Sequence, residues 1–286
     1  MHFVQAKSMA ASKGVNIYRG CQHGCIYCDS RSLCYRMDHV FEDIEVKQNA
    51  PELLERALKS GRKPRMIGTG AMSDPYIPLE KDLKLTRSYL ELIDQYGYGA
   101  ALLTKSDLVL RDLDLIASIH RKAKAVVQMT ITTMDDGLCR LLEPGVSVTS
   151  RRLEVLKRLQ EAGIPTIVWM CPLMPFLNDT FENVLGIVDA CAEAGVKGII
   201  QFGMGLTLRD GSREYCYKAL DTHFPGLKER YIRTYGNAYV LSSPKEAALQ
   251  KVFHSRCEVL GLLHDNDEIF RYMNTLENKH TQLTFF

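Results

Sequence analysis

Gly20-Cys21-Gln22-His23-Gly24-Cys25-Ile26-Tyr27-Cys28 follows a β-like run at residues 14–19 and places three cysteines within eight residues. Thiols at this spacing can wrap one metal centre, and Gly20 and Gly24 let the backbone turn tightly around it. Three donors is the informative number. A structural zinc site takes four protein ligands, and no second CxxC or HxxxH pair follows in the chain. A cubane [4Fe–4S] cluster held by three cysteines keeps one iron open for a ligand, as a catalytic cluster requires. Spacing alone leaves two other readings: a zinc knuckle completed by His23 or a distant residue, or three unrelated core thiols. His23, strained between two ligand positions, reads as a polar loop residue rather than a donor.

Outward from this loop the chain alternates β-like and helical stretches. The β-like runs fall at 14–19, 65–70, 100–104, 125–132, 165–172 and 198–202. Between them apolar residues recur at helical spacing, as in Leu53, Leu54, Ala57 and Leu58, or Phe181, Val184, Leu185 and Val188. Gly61, Gly97, Gly163 and Gly195 close these helical runs. Strands that each lead into a crossover helix imply a parallel sheet. A doubly wound sheet and a (β/α) barrel both fit that alternation. After Gly203 the pattern becomes helical, with runs expected at 213–223, 243–263 and 267–278. The expected organisation is a β/α domain over 1–205, a helical extension over 206–278 and a tail over 279–286.

Composition excludes other classes. The 286 residues are 46% hydrophobic and 24% charged, which rules out a disordered or fibrous chain. The longest uncharged apolar stretch, 164–177, is shorter than the roughly 20 residues of a spanning helix and carries three prolines. The opening Met1-His2-Phe3-Val4-Gln5 has no apolar leader core, so a cytoplasmic location without membrane contact is expected. An odd count of nine cysteines, six of them isolated, reads as reduced thiols rather than a disulfide scaffold. The formal charge of +2, from 36 Lys+Arg against 34 Asp+Glu, points neither toward nor away from nucleic acid.

CxxxCxxC with an aromatic before the last cysteine, after the first strand of a β/α chain, resembles the radical S-adenosylmethionine (SAM) superfamily. The resemblance covers about residues 14–205. It implies a partial (β/α)6 TIM-type barrel and a [4Fe–4S] cluster on Cys21, Cys25 and Cys28. It also implies SAM on the open iron, reductively cleaved to a 5′-deoxyadenosyl radical that takes a hydrogen atom from substrate. An electron donor such as flavodoxin or ferredoxin is then needed.

Further stretches are similar to the spore photoproduct lyase-like, DNA repair photolyase-like branch of that superfamily. They are Gly68-Thr69-Gly70-Ala71-Met72-Ser73-Asp74-Pro75-Tyr76, Thr104-Lys105-Ser106, Glu143-Pro144-Gly145 and Cys171-Pro172-Leu173. The resemblance implies Ser73 and Asp74 at the SAM site and Tyr27 near the adenine. It offers Thr130 and Thr132 for the ribose or methionine moiety and Arg152 for the SAM carboxylate. Polar groups at the carboxyl ends of barrel strands suit a zwitterionic ligand. One position departs: the branch carries a hydrogen-donating cysteine where this chain has Ala71. Cys171, at the end of the fifth expected strand, is the alternative thiol.

The expected reaction is lyase- or repair-like, on a substrate related to nucleic acid. Radical modification of a small molecule or peptide, and a zinc-stabilised DNA- or clamp-associated module, are the alternatives. Gln282, Leu283, Phe285 and Phe286 resemble the terminal peptide by which bacterial repair proteins dock on the DNA sliding clamp. Basic residues such as Arg31, Arg209 and Arg213, with tyrosines between 215 and 239, offer phosphate and stacking contacts. The same residues are equally consistent with a solvated, amphipathic helical face.

Overall fold

The computed structural model describes residues 1–7 and 15–277. The expected clamp-docking residues of the tail lie outside them. The chain opens with β1 (His2–Val4), β2 (Tyr18–Arg19) and β3 (Glu45–Lys47), then α1 (Ala50–Ser60), β4 (Met66–Thr69), α2 (Glu80–Leu83) and α3 (Leu85–Gln95). It continues through β5 (Gly99–Thr104), α4 (Leu113–Lys122), β6 (Ala125–Thr130), α5 (Asp136–Leu142), α6 (Thr149–Glu161), β7 (Thr166–Trp169), α7 (Phe181–Glu193) and β8 (Gly198–Ile200). The rest is β9 (Gly205–Thr207), α8 (Ser212–His223), α9 (Leu227–Tyr235), β10 (Val240–Ser242), α10 (Glu246–Leu260) and α11 (Asn266–Asn274).

Strands β4 to β8 form one all-parallel sheet in sequence order, each joined to the next through helix. All six residues of β6 are buried, as a strand covered on both faces requires. Residue parity separates the faces. Ala100, Val127, Val168 and Ile199 belong to the outer core with helices α1, α3, α4, α6, α7 and α10. Their neighbours Ala101, Val126, Ile167 and Ile200 form the inner face, which Ile269 and Met273 of α11 cover. Lys124, buried beneath the sheet, donates to the Tyr272 and Thr275 carbonyls at 2.7 and 3.1 Å and so satisfies the last turn of α11. Expected as part of an appended extension, α11 thus fills the inside of the partial barrel.

The expected first strand is shorter than its sequence suggests. Val15 donates to Gly68 O at 2.7 Å, extending the parallel sheet by one bond. Tyr18 and Arg19 then turn to pair antiparallel with β3, a three-residue strand too short to announce itself by periodicity. At the opposite edge Ile199 donates to Leu263 O at 2.8 Å, and Leu263 returns a bond to Lys197 O. A second small sheet, β9 with β10, packs with α8 and α9 against the cysteine loop. Among the described residues no helix is long and apolar enough to cross a membrane.

Candidate functional site

The inner face above α11 opens into a cavity of about 400 Å³ at the carboxyl ends of the strands. Register aligns Thr104 of β5 with Met129, and Thr130 of β6 with Trp169, so their ends form one rim. This is where ligands bind in parallel β/α folds.

The cysteine loop forms the facing wall, and its path is fixed by backbone. Gly20 sits at φ +89, where an added Cβ would lie 2.4 Å from Phe41 O. The Cys21 amide donates to that same carbonyl at 3.2 Å. Glu143-Pro144-Gly145 braces the loop from the other side. Ile26 donates to Leu142 O at 2.9 Å and Gly145 to His23 O at 2.8 Å. Arg31 lies between the rings of Phe41 and Tyr215, 4.3 and 3.7 Å from their centroids, and locks the loop to α8.

Cys21, Cys25 and Cys28 all line the cavity, and all are free thiols. Burial pushes the Cys21 thiol up to about 12, with the Asp74 charge adding to the effect, while backbone N–H groups of His23 and Asp74 oppose it. Burial likewise raises Cys25, against the pull of Lys105. Three mutually repelling sulfurs in a buried pocket become thiolates when a cationic centre compensates them, so the donor set fits a metal group.

The segment after β4 supplies the next wall. Ser73 is buried, and its hydroxyl donates to Gly20 O at 2.6 Å. Asp74 accepts from Tyr76 N and Lys105 N at 2.8 Å each and from the Thr104 hydroxyl at 2.7 Å, and lies 3.2 Å from His23 Nε2. Burial opposes its ionisation, yet His23 and these donors outweigh it and hold the carboxyl at about 2. His23 Nδ1 meets Gly145 O at 3.0 Å, so this histidine spans two loops and is no ligand of the centre.

Tyr27 lines the cavity, and its buried hydroxyl donates to Glu143, whose other oxygen pairs with Arg152. Here the structure corrects the sequence. Arg152 is fully buried, and its guanidinium also donates to Ser147 O at 2.6 Å and Thr130 O at 2.7 Å. It stands on α6 and is not among the residues that line the cavity. Thr130 does line the cavity. Thr132 does not, because the chain has left the sheet there. Its carbonyl is held by Asn178 and Asn183 at 2.8 and 2.9 Å.

Further residues complete the cavity. Lys105 is the one lysine or arginine among the described residues lining the cavity. Trp169 and Phe202 form its far wall, and Cys171, just past the end of β7, lines it as well. Ala71 also lines it, without a thiol. A sole tryptophan at a strand's carboxyl end was the available signal for Trp169.

A parallel partial barrel with three thiols at its mouth defines a β/α enzyme built around a cysteine-held centre. The sequence matches the Radical SAM superfamily over residues 15–186, and the chain belongs to that family. Its cofactors are accordingly a [4Fe–4S] cluster and SAM. An uncharacterised protein of Methanocaldococcus jannaschii is 36% identical over 174 residues, 60% of this chain and 64% of its own length. The match thus spans under two thirds of that relative. A Mycobacterium tuberculosis H37Rv protein, also uncharacterised, is 29% identical over 246 residues, 83% of this chain and 72% of its own. Among solved structures, a spore photoproduct lyase mutant with dinucleoside spore photoproduct superposes at a TM-score of 0.65. It shares 16% identity, over 90% of this chain and 78% of that one. Another, with bound AdoMet and the same dinucleoside, gives 0.63 at 16% identity, over 91% and 76%. At that identity the likeness is one of fold.

Proposed function

We propose that this radical SAM enzyme acts on a nucleic-acid-related substrate in a lyase- or repair-like reaction. The observation that carries the catalytic reading is the convergence of Cys21, Cys25 and Cys28 on one cavity with Ser73, Thr130 and Lys105. In this reading the three cysteines hold the cluster. When bound, the cluster and SAM supply a radical that removes a hydrogen atom from substrate.

The chain's own groups position that chemistry. Ser73 and Thr130 offer hydroxyls, and Lys105 offers a cation raised by its acidic surroundings despite burial, for the polar moieties of SAM. Asp74 and His23 tie the Ser73 segment to the cysteine loop. Glu143, held by Arg152, anchors Tyr27 so that the adenine meets a fixed surface. α11 closes the barrel beneath and keeps water from the inner face. The nucleic-acid reading is supported by the sequence resemblance and by the fold shared with a lyase that binds a dinucleoside photoproduct. A one-electron donor such as flavodoxin or ferredoxin completes the cycle. The clamp-docking reading of Gln282, Leu283, Phe285 and Phe286 rests on sequence alone.

Anaerobic purification and 5′-deoxyadenosine assays test the reading. The expected protein is brown, carries about four irons per chain and bleaches with dithionite. Release of 5′-deoxyadenosine should rise with ultraviolet-damaged DNA. A colourless protein with one zinc overturns the enzyme assignment, and indifference to nucleic acid moves the substrate to a small molecule or peptide.

A further inference from the structure

Trp169 and Phe202 line the cavity where it opens to solvent, and Phe270 of α11 packs behind both. Trp169 at the end of β7 lies 5.7 Å from Phe202 and 6.1 Å from Phe270 of α11, centroid to centroid, and Phe202 lies 6.1 Å from Phe270 in a near-parallel pair. The trio is held rigidly from behind. Trp169 donates its indole N–H to Gln128 Oε1 at 2.9 Å, and Phe270 belongs to the inner core that α11 covers. Yet Phe202 remains 60% exposed and lines the cavity, as does Val240, 55% exposed, from β10. Large apolar side chains left in water at a site mouth mark a surface meant to be covered.

We infer that Trp169, Phe202 and Phe270 form a stacking platform for a planar base of the substrate, presented on a single strand. The inference rests on the nucleic-acid reading above and names the residues that would receive the base. Two features select a base of the substrate over the adenine of the cofactor or an aromatic peptide side chain. First, Phe202 faces outward at the lip, so its partner extends beyond the cavity, whereas a ligand of the cysteine centre lies within. Second, the rim carries a cation beside a ring: the Arg209 guanidinium sits 4.7 Å from the Tyr239 centroid, and Tyr239 is itself exposed. Arg209 also pairs with Asp29, which lines the same cavity, at 3.4 Å and donates to the Tyr239 hydroxyl at 2.6 Å, so its guanidinium is held in place at that ring. Rings for bases next to guanidinium groups for phosphates is how proteins track single strands. A base that must reach a reactive centre inside a cavity has to leave its stack, and a rigid aromatic wall offsets that loss.

The test uses the reconstituted holoenzyme saturated with SAM and a fluorescein-labelled single-stranded thymidine oligonucleotide, followed by anisotropy. Phe202→Ala is expected to weaken oligonucleotide binding about tenfold, within the range of one stacked base. Phe202→Tyr, which keeps the ring, restores it. The Tm stays near the wild-type value, since this side chain is mostly in solvent, and SAM affinity is read in parallel by equilibrium dialysis. The inference is overturned by any of three results: absent oligonucleotide binding or binding indifferent to Phe202→Ala, loss of SAM affinity in place of oligonucleotide affinity, or equal competition by a tyrosine-containing peptide. Iron content and SAM cleavage are read separately, so loss of the platform assignment leaves the radical SAM reading standing, and loss of that reading shows first in the iron.

Discussion

His23 Nε2 lies 3.2 Å from Asp74 Oδ2, and this contact joins the cysteine loop to the segment that carries Ser73. Both side chains are buried, and neither comes from a regular element. The pair makes the wall after β4 and the loop after β2 a single unit. Its consequences, and those of the other contacts around the cavity, can be measured.

Asp74→Asn preserves shape but replaces a charged acceptor of three donors with a neutral amide. Hydrogen bonds to a buried charge contribute about 1.5–3 kcal/mol each way they are counted. The expected result is a loss of about 2–3 kcal/mol in denaturant unfolding, together with fewer irons per chain after reconstitution. Full iron content and unchanged stability would show that the loop holds its shape without this tie.

Gly145→Ala places a methyl carbon 2.8 Å from Gln22 O, His23 Cα and His23 O, all backbone atoms that have no rotamer to yield. The cysteine loop must shift, and iron loading should fall several-fold while secondary structure by circular dichroism is retained. Gly68→Ala in β4, whose added carbon meets nothing within 4 Å, is the matched control and should load normally.

Glu143→Gln leaves Arg152 as a buried cation with a weaker partner and Tyr27 with a weaker acceptor. Removing one member of a buried pair costs about 3–5 kcal/mol. The Tm should drop on the order of 10 °C. Replacing both, as Glu143→Leu with Arg152→Met, should cost less than the sum of the single changes. Additive losses would mean the two residues act independently.

Cys171 should return a hydrogen atom to the product radical, since Ala71 cannot. Burial pushes its thiol up to about 12, against the weaker pull of Lys105, so the S–H bond is intact at neutral pH. In that role the thiol would give its hydrogen to the product, and the sulfur radical left behind would regain an electron from the reductant and a proton from solvent. Turnover in D2O should therefore label the product in the wild type and not in Cys171→Ala. Equal labelling in both removes Cys171 from the reaction.

Much of this molecule was legible before any coordinates. Five expected strands recur as β4 to β8 in a parallel sheet, because a strand buried on both faces writes itself as an apolar run of fixed length. The cysteine motif was legible because its donors lie within eight residues and need no folding to be neighbours. Short strands escaped notice. β3, β9 and β10 have three residues each, too few for a period to show.

Side-chain destinations were decided elsewhere. The resemblance offers Arg152 for the SAM carboxylate, but α6 lies on the outer face and the buried guanidinium finds carboxylate and carbonyl partners there. α11 reads as part of a helical extension packed on the sheet domain, and the structure lays it over the inner face of the open barrel. The sequence determined the candidate donors of the centre, which lie close in the chain, and the sheet, through periodicity. Which polar groups reach the cavity, and which aromatics wall it, depended on contacts between residues as far apart as Gly20 and Ser73 or Trp169 and Phe270. Such contacts arise only when strands align and helices choose a face, because direction along a strand alternates with every residue and one step inverts inside and outside.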